Sequence, residues 1–257
     1  MANVARYLRS KMLAAKESNR DTFKVKEDFK KSLGLSDKWF EDAFDANAIK
    51  ADSIYNINLD VQIDDLKDAN IQAKLVYLNS CLTGSFHLDD YIAGYYPFSK
   101  NQNIVAIANS VGVLQDLWPS ELMGLLGNGY RVGNWLKHIA YLETHILGDP
   151  TFHFASARAQ ELNDATALNQ SAGYWKKVLK ENDADLQSLA LEKLAGILSV
   201  KEVSPLLKEY YFNSPFESTR MQAFQLLAYI ENDDYIEVLH AAKNDPYEYI
   251  RRRAIYD

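Results

Sequence analysis

Cysteine is nearly absent from this sequence, and so are long apolar runs. Cys81 is the only cysteine in 257 residues, which excludes internal disulfides and any metal site built from several cysteines. No stretch approaches the roughly 18 apolar residues of a membrane-spanning helix. The first 20 residues also lack the apolar core of a secretory signal. We therefore expect no membrane span, no metal and no cofactor.

Positive charge is also scarce. The chain has 28 Lys and Arg against 35 Asp and Glu, a net charge of −7, and its longest basic run is Arg251–Arg253. A nucleic-acid or anionic-membrane surface needs a basic patch, so neither is expected as the main partner. The 47% apolar and 25% charged residues are typical of a globular protein of one or two domains.

An internal repeat is present near the C-terminus. Residues Asn213–Ala223 and Asn244–Ala254 align at a spacing of 31, and a weaker third copy begins at Asn182. The two clear copies share three residue types at matching positions: Pro215 and Pro246, Arg220 and Arg251, Ala223 and Ala254. Second helices are predicted between the copies, over Val203–Tyr211 and Tyr235–Ala242.

Each repeat predicts a pair of helices that cannot cover its own apolar face. The Ser-Pro or Asp-Pro step ends one helix and fixes the first turn of the next, so successive units are expected to stack. The turn, the arginine and the alanine resemble those of HEAT repeats, which present surfaces to other proteins. A generic helical bundle is the alternative, and the regular spacing disfavours it.

The N-terminal region has a different pattern. Residues 3–46 carry apolar side chains at three- and four-residue steps, which predicts amphipathic helices. Short strands are then predicted over three segments: Ser53–Leu59, Lys74–Asn79 and Asn103–Asn109. Helices are predicted near Ser120–Leu126 and over Arg131–Thr144. The alternation predicts an α/β region with a largely parallel sheet covered by helices.

Cys81 follows the second of these strands directly. Ligands of open parallel sheets bind outside the carboxyl ends of the strands, so Cys81 is a candidate site residue. The small residues after it, Thr83, Gly84 and Ser85, permit close approach by a substrate. A buried cysteine that only fills space is the alternative, and spacing alone favours that alternative.

Three segments together change this balance. The runs VYLNSCLTGSF at Val76–Phe86, IVAIANSVG at Ile104–Gly112 and ILGDPTF at Ile146–Phe152 resemble, in order and spacing, motifs of the gingipain family of cysteine peptidases. The resemblance covers about Ser53–Phe154 and includes Asp64-Asp65-Leu66 before the first motif. It implies a caspase-like α/β fold with Cys81 as the nucleophile and a histidine base earlier in the chain.

No histidine precedes Cys81. The five histidines are His87, His138, His145, His153 and His240. An ordinary thiol is only slightly ionised at neutral pH, and peptidase chemistry needs an imidazole to deprotonate it. Cys81 is therefore expected to be catalytically weak or inert, unless the nearest histidine, His87, acts as a non-standard base.

Other candidate residues have ordinary explanations. Asp149 lies in a Gly-Asp-Pro turn, where an aspartate caps its own backbone, and His145 and His153 flank that turn. All three are expected to be structural or exposed. The acidic pair Asp89 and Asp90 either lines a pocket for basic side chains or forms a solvated loop, and the loop is favoured.

The sequence thus predicts three segments: a gingipain-like α/β domain over residues 1–155, truncated at its N-terminus; a helical connection over 156–181; and HEAT-like repeats over 182–257, truncated at the C-terminus. The expected function is that of a degenerate cysteine peptidase domain coupled to a protein-interaction array. An active cysteine endopeptidase using Cys81 and His87 is the alternative. The expected partner is a protein or peptide, and the family implies an extracellular or cell-envelope location.

Overall fold

The computed structural model describes residues 2–99, 103–113, 122–139, 143–168 and 171–256, without the side chains of Ala2 and Ile139. The structure is 60% helical. It divides into two compact units, Met1–Ala69 and Asn70–Asp257. No helix in the described ranges is long and apolar enough to cross a membrane.

The N-terminal unit is helical. Its elements are α1 Ala2–Glu17, α2 Thr22–Leu33, a 3₁₀ turn at Asp37–Phe40, α3 Ala46–Ile57 and α4 Ile63–Asp68. Local signals set the ends of α2: the Asp21 carboxylate accepts from the amides of Phe23 and Lys24, and Gly34 ends the helix in the left-handed conformation.

The core of this unit is small. Leu8, Met12, Phe40 and Ala43 form its buried cluster. Arg9 adds polar contacts from α1, because its guanidinium pairs with both carboxylate oxygens of Asp52 at 2.6 and 2.8 Å and with Asp42. The hydrogen bond to Arg9 lowers the pKa of the Asp52 carboxyl. Ion pairs therefore join α1 to α3 where little apolar surface is buried.

The strand predicted over Ser53–Leu59 is wrong, because most of this segment belongs to helix α3. Asp45 starts that helix by accepting from the amide of Ala48 at 2.8 Å. Seven residues that alternate between apolar and polar do not by themselves distinguish a strand from a helix. The Asp45 cap is the local signal that indicates a helix here. Ile54 and Ile57 are exposed in this helix. Helix α3 therefore has no buried apolar face, the feature that usually gives a helix its recognisable spacing of apolar residues.

The second unit begins with a three-stranded mixed sheet in the order β1-β2-β3. The strands are β1 Leu75–Leu78, β2 Val105–Asn109 and β3 Thr144–Gly148. β1 and β2 are parallel, with Leu75 opposite Val105, and lie within the segments predicted as strands. β3 is antiparallel to β2, with Asn109 opposite Thr144.

The predicted caspase-like α/β fold with a largely parallel sheet is therefore wrong. One predicted strand is helical, and the only other partner of β2 in the described sheet runs antiparallel. As a result, the described sheet contains one parallel strand pair, β1 with β2, where a largely parallel sheet was expected. Helix packing supplies most of the remaining structure.

Two α-helices of this unit lie between β2 and β3 in the chain, and its other described α-helices follow β3. They are α5 Gly124–Gly127, α6 Val132–Ile139, α7 Ala159–Leu168, α8 Ala172–Val178, α9 Ala184–Ile197, α10 Val200–Asn213, α11 Glu217–Ile230, α12 Asp233–Ala242 and α13 Glu248–Tyr256. The second helices predicted for the repeats, Val203–Tyr211 and Tyr235–Ala242, lie within α10 and α12. Helix α6 ends within the range predicted as Arg131–Thr144, and the predicted helix near Ser120–Leu126 lies partly outside the described residues.

One buried cluster joins the sheet to the last helix. It includes Val105 and Ile107 of β2, Trp135 of α6, Trp175 of α8 and Phe224 of α11, and it extends to α13. This continuity makes residues 70–256 a single compact unit. The three-segment division predicted from the sequence stays a prediction.

Candidate functional site

The turn after β1 crosses the carboxyl end of β2. The amide of Gly84 donates to the Asn109 carbonyl at 2.8 Å, and the amide of Leu82 donates to the Val111 carbonyl at 3.1 Å. A Cβ on Gly84 would lie 3.0 Å from Ala108, so this close approach favours glycine. β1 therefore leads into the turn that carries Cys81, beside the carboxyl end of β2.

Cys81 is exposed at the start of this turn. Its Sγ lies 3.3 Å from the backbone nitrogen of Val113 and 3.5 Å from the carbonyl oxygen of the same residue. His87 is exposed on the loop that follows. Among the described residues, no hydrogen bond joins the thiol to His87 or to any other imidazole. The catalytic roles predicted for Cys81 and His87 remain predictions.

A different histidine reaches this sheet edge. The Nε2 atom of His145 lies 2.8 Å from the Oγ atom of Ser110, and the ring of Phe86 meets the imidazole edge-on at 4.8 Å. Nucleophilic sites that use serine pair its hydroxyl with an imidazole that a third group orients. In the described part of the chain, however, no carboxylate bonds the other ring nitrogen of His145, and the pair lacks an orienting third member.

Sequence reasoning missed the contact between Ser110 and His145. His145 was expected to be a structural or exposed residue beside a turn. It instead lies on β3, whose antiparallel direction brings its first residues beside the end of β2. The β-branched residues Thr144 and Ile146, two positions apart, are the signal that could have indicated this strand.

Asp149 acts as a turn residue, in line with the structural interpretation. Its Oδ1 atom accepts from the amide of Thr151 at 2.8 Å and from the hydroxyl of the same residue at 2.7 Å. These hydrogen bonds lower the pKa of the Asp149 carboxyl. The preceding Gly148 has φ +104° and lies against the Ile104 carbonyl, a conformation that excludes a side chain.

The two clear repeats make equivalent contacts. The Nη1 atom of Arg220 donates to the carbonyl of Ser214, and the Nη1 atom of Arg251 donates to the carbonyl of Asp245, its counterpart 31 residues on. Each turn residue also closes the turn before its helix: the Ser214 hydroxyl accepts from the amide of Phe216, and the Asp245 carboxylate accepts from the amide of Tyr247. The aligned residues therefore fold in the same way.

Neighbouring repeats are joined by a bidentate ion pair. The Nε and Nη2 atoms of Arg220 donate to the two carboxylate oxygens of Asp245 at 3.2 and 3.1 Å. Both side chains are largely buried. The arginine of one repeat thus recognises the turn of the next, and this pair fixes the stacking of α11 on the α12–α13 turn.

A groove of about 1050 Å³ opens beside these helices. Residues from α6, α9, α11, α12 and α13 line it. On α11, Gln222, Gln225 and Tyr229 follow one another at steps of three and four residues, so they lie on one helix face. The side chain of Tyr229 is 93% exposed. The groove therefore has a continuous wall of two amides and one aromatic ring.

Gln222 is the most informative residue of this wall. It is only 7% exposed, yet its side-chain amide makes no hydrogen bond to any residue that the structure describes. Its amide atoms are not fully shielded from the groove. Within the described ranges, the one fully buried polar side-chain atom without a partner is Oδ1 of Asn103, and no atom of Gln222 is in that state. The Gln222 amide therefore faces the groove with hydrogen-bonding capacity that no described residue uses, and a bound partner can form hydrogen bonds with it.

The lining of the groove also contains a polar pair. The Nδ1 atom of the largely buried His138 lies 2.5 Å from the Glu192 carboxylate, and its Nε2 atom lies 3.5 Å from the Tyr130 hydroxyl. Burial by itself raises the pKa of Glu192, but the contacts with His138 and Lys193 outweigh it and lower that pKa. Burial raises the pKa of Tyr130 to about 12. The pair therefore has internal partners, unlike Gln222.

No cluster of three or more metal-ligating side chains lies within the described residues. Comparison with known proteins found no relative: no family model matches the chain, and no curated protein or solved structure is significantly similar to it. The likeness of residues 76–86, 104–112 and 146–152 to gingipain peptidases therefore stays a prediction.

Proposed function

We propose that this chain is a protein-interaction module, and that the groove beside α11 binds an extended segment of another protein. Gln222 carries the proposal. Its nearly buried amide has one acceptor and two donors, which match the alternating carbonyl and amide groups of a peptide backbone. Gln225 offers the same groups one helical turn further along the groove.

The shape of the groove supports the same reading. Residues from five helices line it, and its volume of about 1050 Å³ is at the upper end of the range for small-molecule pockets. Stacked helix pairs commonly use such concave surfaces to hold partner proteins. The exposed ring of Tyr229 at one end supplies a flat apolar surface for a partner side chain.

In this proposal the sheet edge is not a working peptidase site. Cys81 has no imidazole partner among the described residues, and no observation favours the alternative of an active endopeptidase based on Cys81 and His87. The contribution of the first unit and the sheet is then structural, while the helices from α9 onward carry recognition.

The test is selection of random linear peptides against the whole chain, followed by affinity measurements on variants. Gln222→Met removes the amide at similar volume, and we expect it to weaken the selected peptides about tenfold, the effect of losing one buried hydrogen bond. Tyr229→Ala is expected to weaken them as well. Ile255→Ala, at an exposed residue outside the groove, is the matched control and should leave affinity unchanged.

Two results would contradict the proposal. One is the absence of any enriched peptide. The other is a set of enriched peptides that bind the Gln222→Met and Tyr229→Ala variants as tightly as the native chain. Thermal melts of both variants check that a loss of binding is not a loss of folding.

A further inference from the structure

Helix α3 has an exposed side as well as the side that packs on α1. The side toward α1 carries Asp52, whose carboxylate pairs with Arg9, and no residue of α3 is buried. Lys50, Ile54 and Ile57 recur at steps of four and three residues, so they share one face of the helix. At about 100° per residue, that face lies opposite Asp52. The exposed side of α3 is therefore partly apolar.

The exposed apolar surface continues past the end of α3. The turn there hydrogen bonds back to the helix, because the amide of Leu59 donates to the Asn56 carbonyl at 3.1 Å. Four large aliphatic side chains within eight residues are each more than half exposed, and we call them the α3 patch: Ile54, Ile57, Leu59 and Val61. Single exposed apolar residues are ordinary, but a cluster of this kind indicates an interaction surface.

Two residues of opposite charge flank the α3 patch. Lys50 lies four residues before Ile54, and Asp60 lies three residues after Ile57. Both are exposed, and neither side chain has an ion-pair or hydrogen-bond partner among the described residues. The patch therefore has a free cation toward one end and a free carboxylate toward the other.

This order of charges is self-complementary. At the helical rise of 1.5 Å per residue, the midpoint between Ile54 and Ile57 lies about 8 Å from Lys50 and about 7 Å from Asp60. Two copies of the patch can therefore pair in antiparallel directions around a two-fold axis at that midpoint. Each Lys50 then lies beside Asp60 of the other copy, and the isoleucines meet at the centre. Symmetric dimers form through such isologous contacts, whereas an unrelated partner requires no such match within one patch.

We propose that the α3 patch is the interface of a homodimer, in which two copies of the chain pair antiparallel along α3. The paired isoleucines remove apolar surface from water, and the two lysine–aspartate pairs fix the direction of pairing. One helix face buries less than the roughly 800 Å² per partner typical of stable complexes, so the dimer is weak and reversible. The interface lies in the first compact unit and the peptide groove in the second, so the proposal does not depend on the proposed function.

Sedimentation equilibrium of the whole chain tests the proposal, at concentrations from about 5 to about 500 μM. We expect the average mass to rise with concentration from 29.3 kDa toward twice that value. Ile54→Ser and Ile57→Ser should each weaken dimerisation at least about tenfold, because each substitution occurs twice in the interface. Ile255→Ser, the same change at an exposed residue of α13, is the matched control and should leave dimerisation unchanged.

An exchange of charges tests the direction of pairing. Lys50→Glu should weaken dimerisation about threefold to tenfold, because the new carboxylate faces Asp60 of the other copy. Asp60→Lys should weaken it for the corresponding reason. The double variant that carries both changes should dimerise like the native chain, since each new lysine again faces a carboxylate. Lys31→Glu, at an exposed residue of α2, is the control for the change in net charge.

An average mass that stays at the monomer value up to the highest concentration would overturn the proposal, because the α3 patch would then belong to a different partner. So would full dimerisation of the Ile54→Ser and Ile57→Ser variants, or a double exchange that fails to restore pairing. Thermal melts check that each variant is folded. Gln222→Met should dimerise like the native chain, which separates this proposal from the peptide groove.

Discussion

The two compact units hold their helices in different ways. In the N-terminal unit, α2 and α3 contain no buried residue, and side-chain caps and the Arg9–Asp52 ion pair define them. In the second unit, α9 alone buries seven residues. Local signals therefore dominate the first unit and apolar packing dominates the second. Substitutions of one chemical kind should have unequal effects in the two.

The largest expected difference concerns phenylalanine. Phe224→Ala in the second unit removes a fully buried ring that contacts Tyr211 and Tyr235, and we expect a loss of about 3–5 kcal/mol in the free energy of unfolding. Phe23→Ala in α2 changes a side chain that is 71% exposed, and should cost less than about 0.5 kcal/mol. Urea denaturation measures both, and similar costs would refute the contrast.

A smaller effect is expected for buried charge. Arg220→Met leaves the Asp245 carboxylate, whose side chain is 5% exposed, without its arginine, at an expected cost of about 3 kcal/mol. Arg252→Met is the control, because it removes an exposed ion pair with Glu248. Its thermal midpoint should be that of the native chain. An unchanged midpoint for Arg220→Met would show that the pair between repeats contributes nothing.

The smallest effect depends on pH and belongs to the N-terminal unit. The pKa of Asp52 is lower in the folded state than in the unfolded chain. Its contribution to the free energy of unfolding is therefore fully present above the ordinary carboxyl pKa, about 4. That contribution is lost as the pH falls through the lowered pKa. We expect the methyl NMR signals of Leu8 and Met12 to show that the packing of this unit loosens as the pH is lowered. Asp52→Asn should lose this dependence. Identical acid transitions in both proteins would contradict the assignment.

Short apolar runs and repeat spacing were the reliable sequence signals. The segments around Leu75–Leu78 and Val105–Asn109 are strands because they are apolar and bounded by polar residues, and the matched Arg220 and Arg251 do make matching contacts. Each of these signals is local. Each can therefore be interpreted without knowing which distant residues contact the segment in the folded protein.

The strand predicted over Ser53–Leu59 failed because a local helix cap was missed, whereas the other wrong or missing predictions involve partners distant in the chain. The direction of β3 depends on how residues 110–143 return to the sheet, and the contact of Ser110 with His145 follows from that direction. The unpartnered amide of Gln222 is likewise a product of tertiary packing, because a glutamine on a helix has no sequence signal of its own. The family resemblance suggested a fold that these long-range contacts do not form.

The pairing of Arg220 with Asp245 has a consequence for how the array unfolds. In a linear array each unit has its own stability, and each junction adds a coupling energy between neighbours. This ion pair belongs to the junction, since it joins the helix of one unit to the turn of the next. It therefore raises cooperativity more than it strengthens either unit, so that helix α13 should melt together with α11 and not fray from the end.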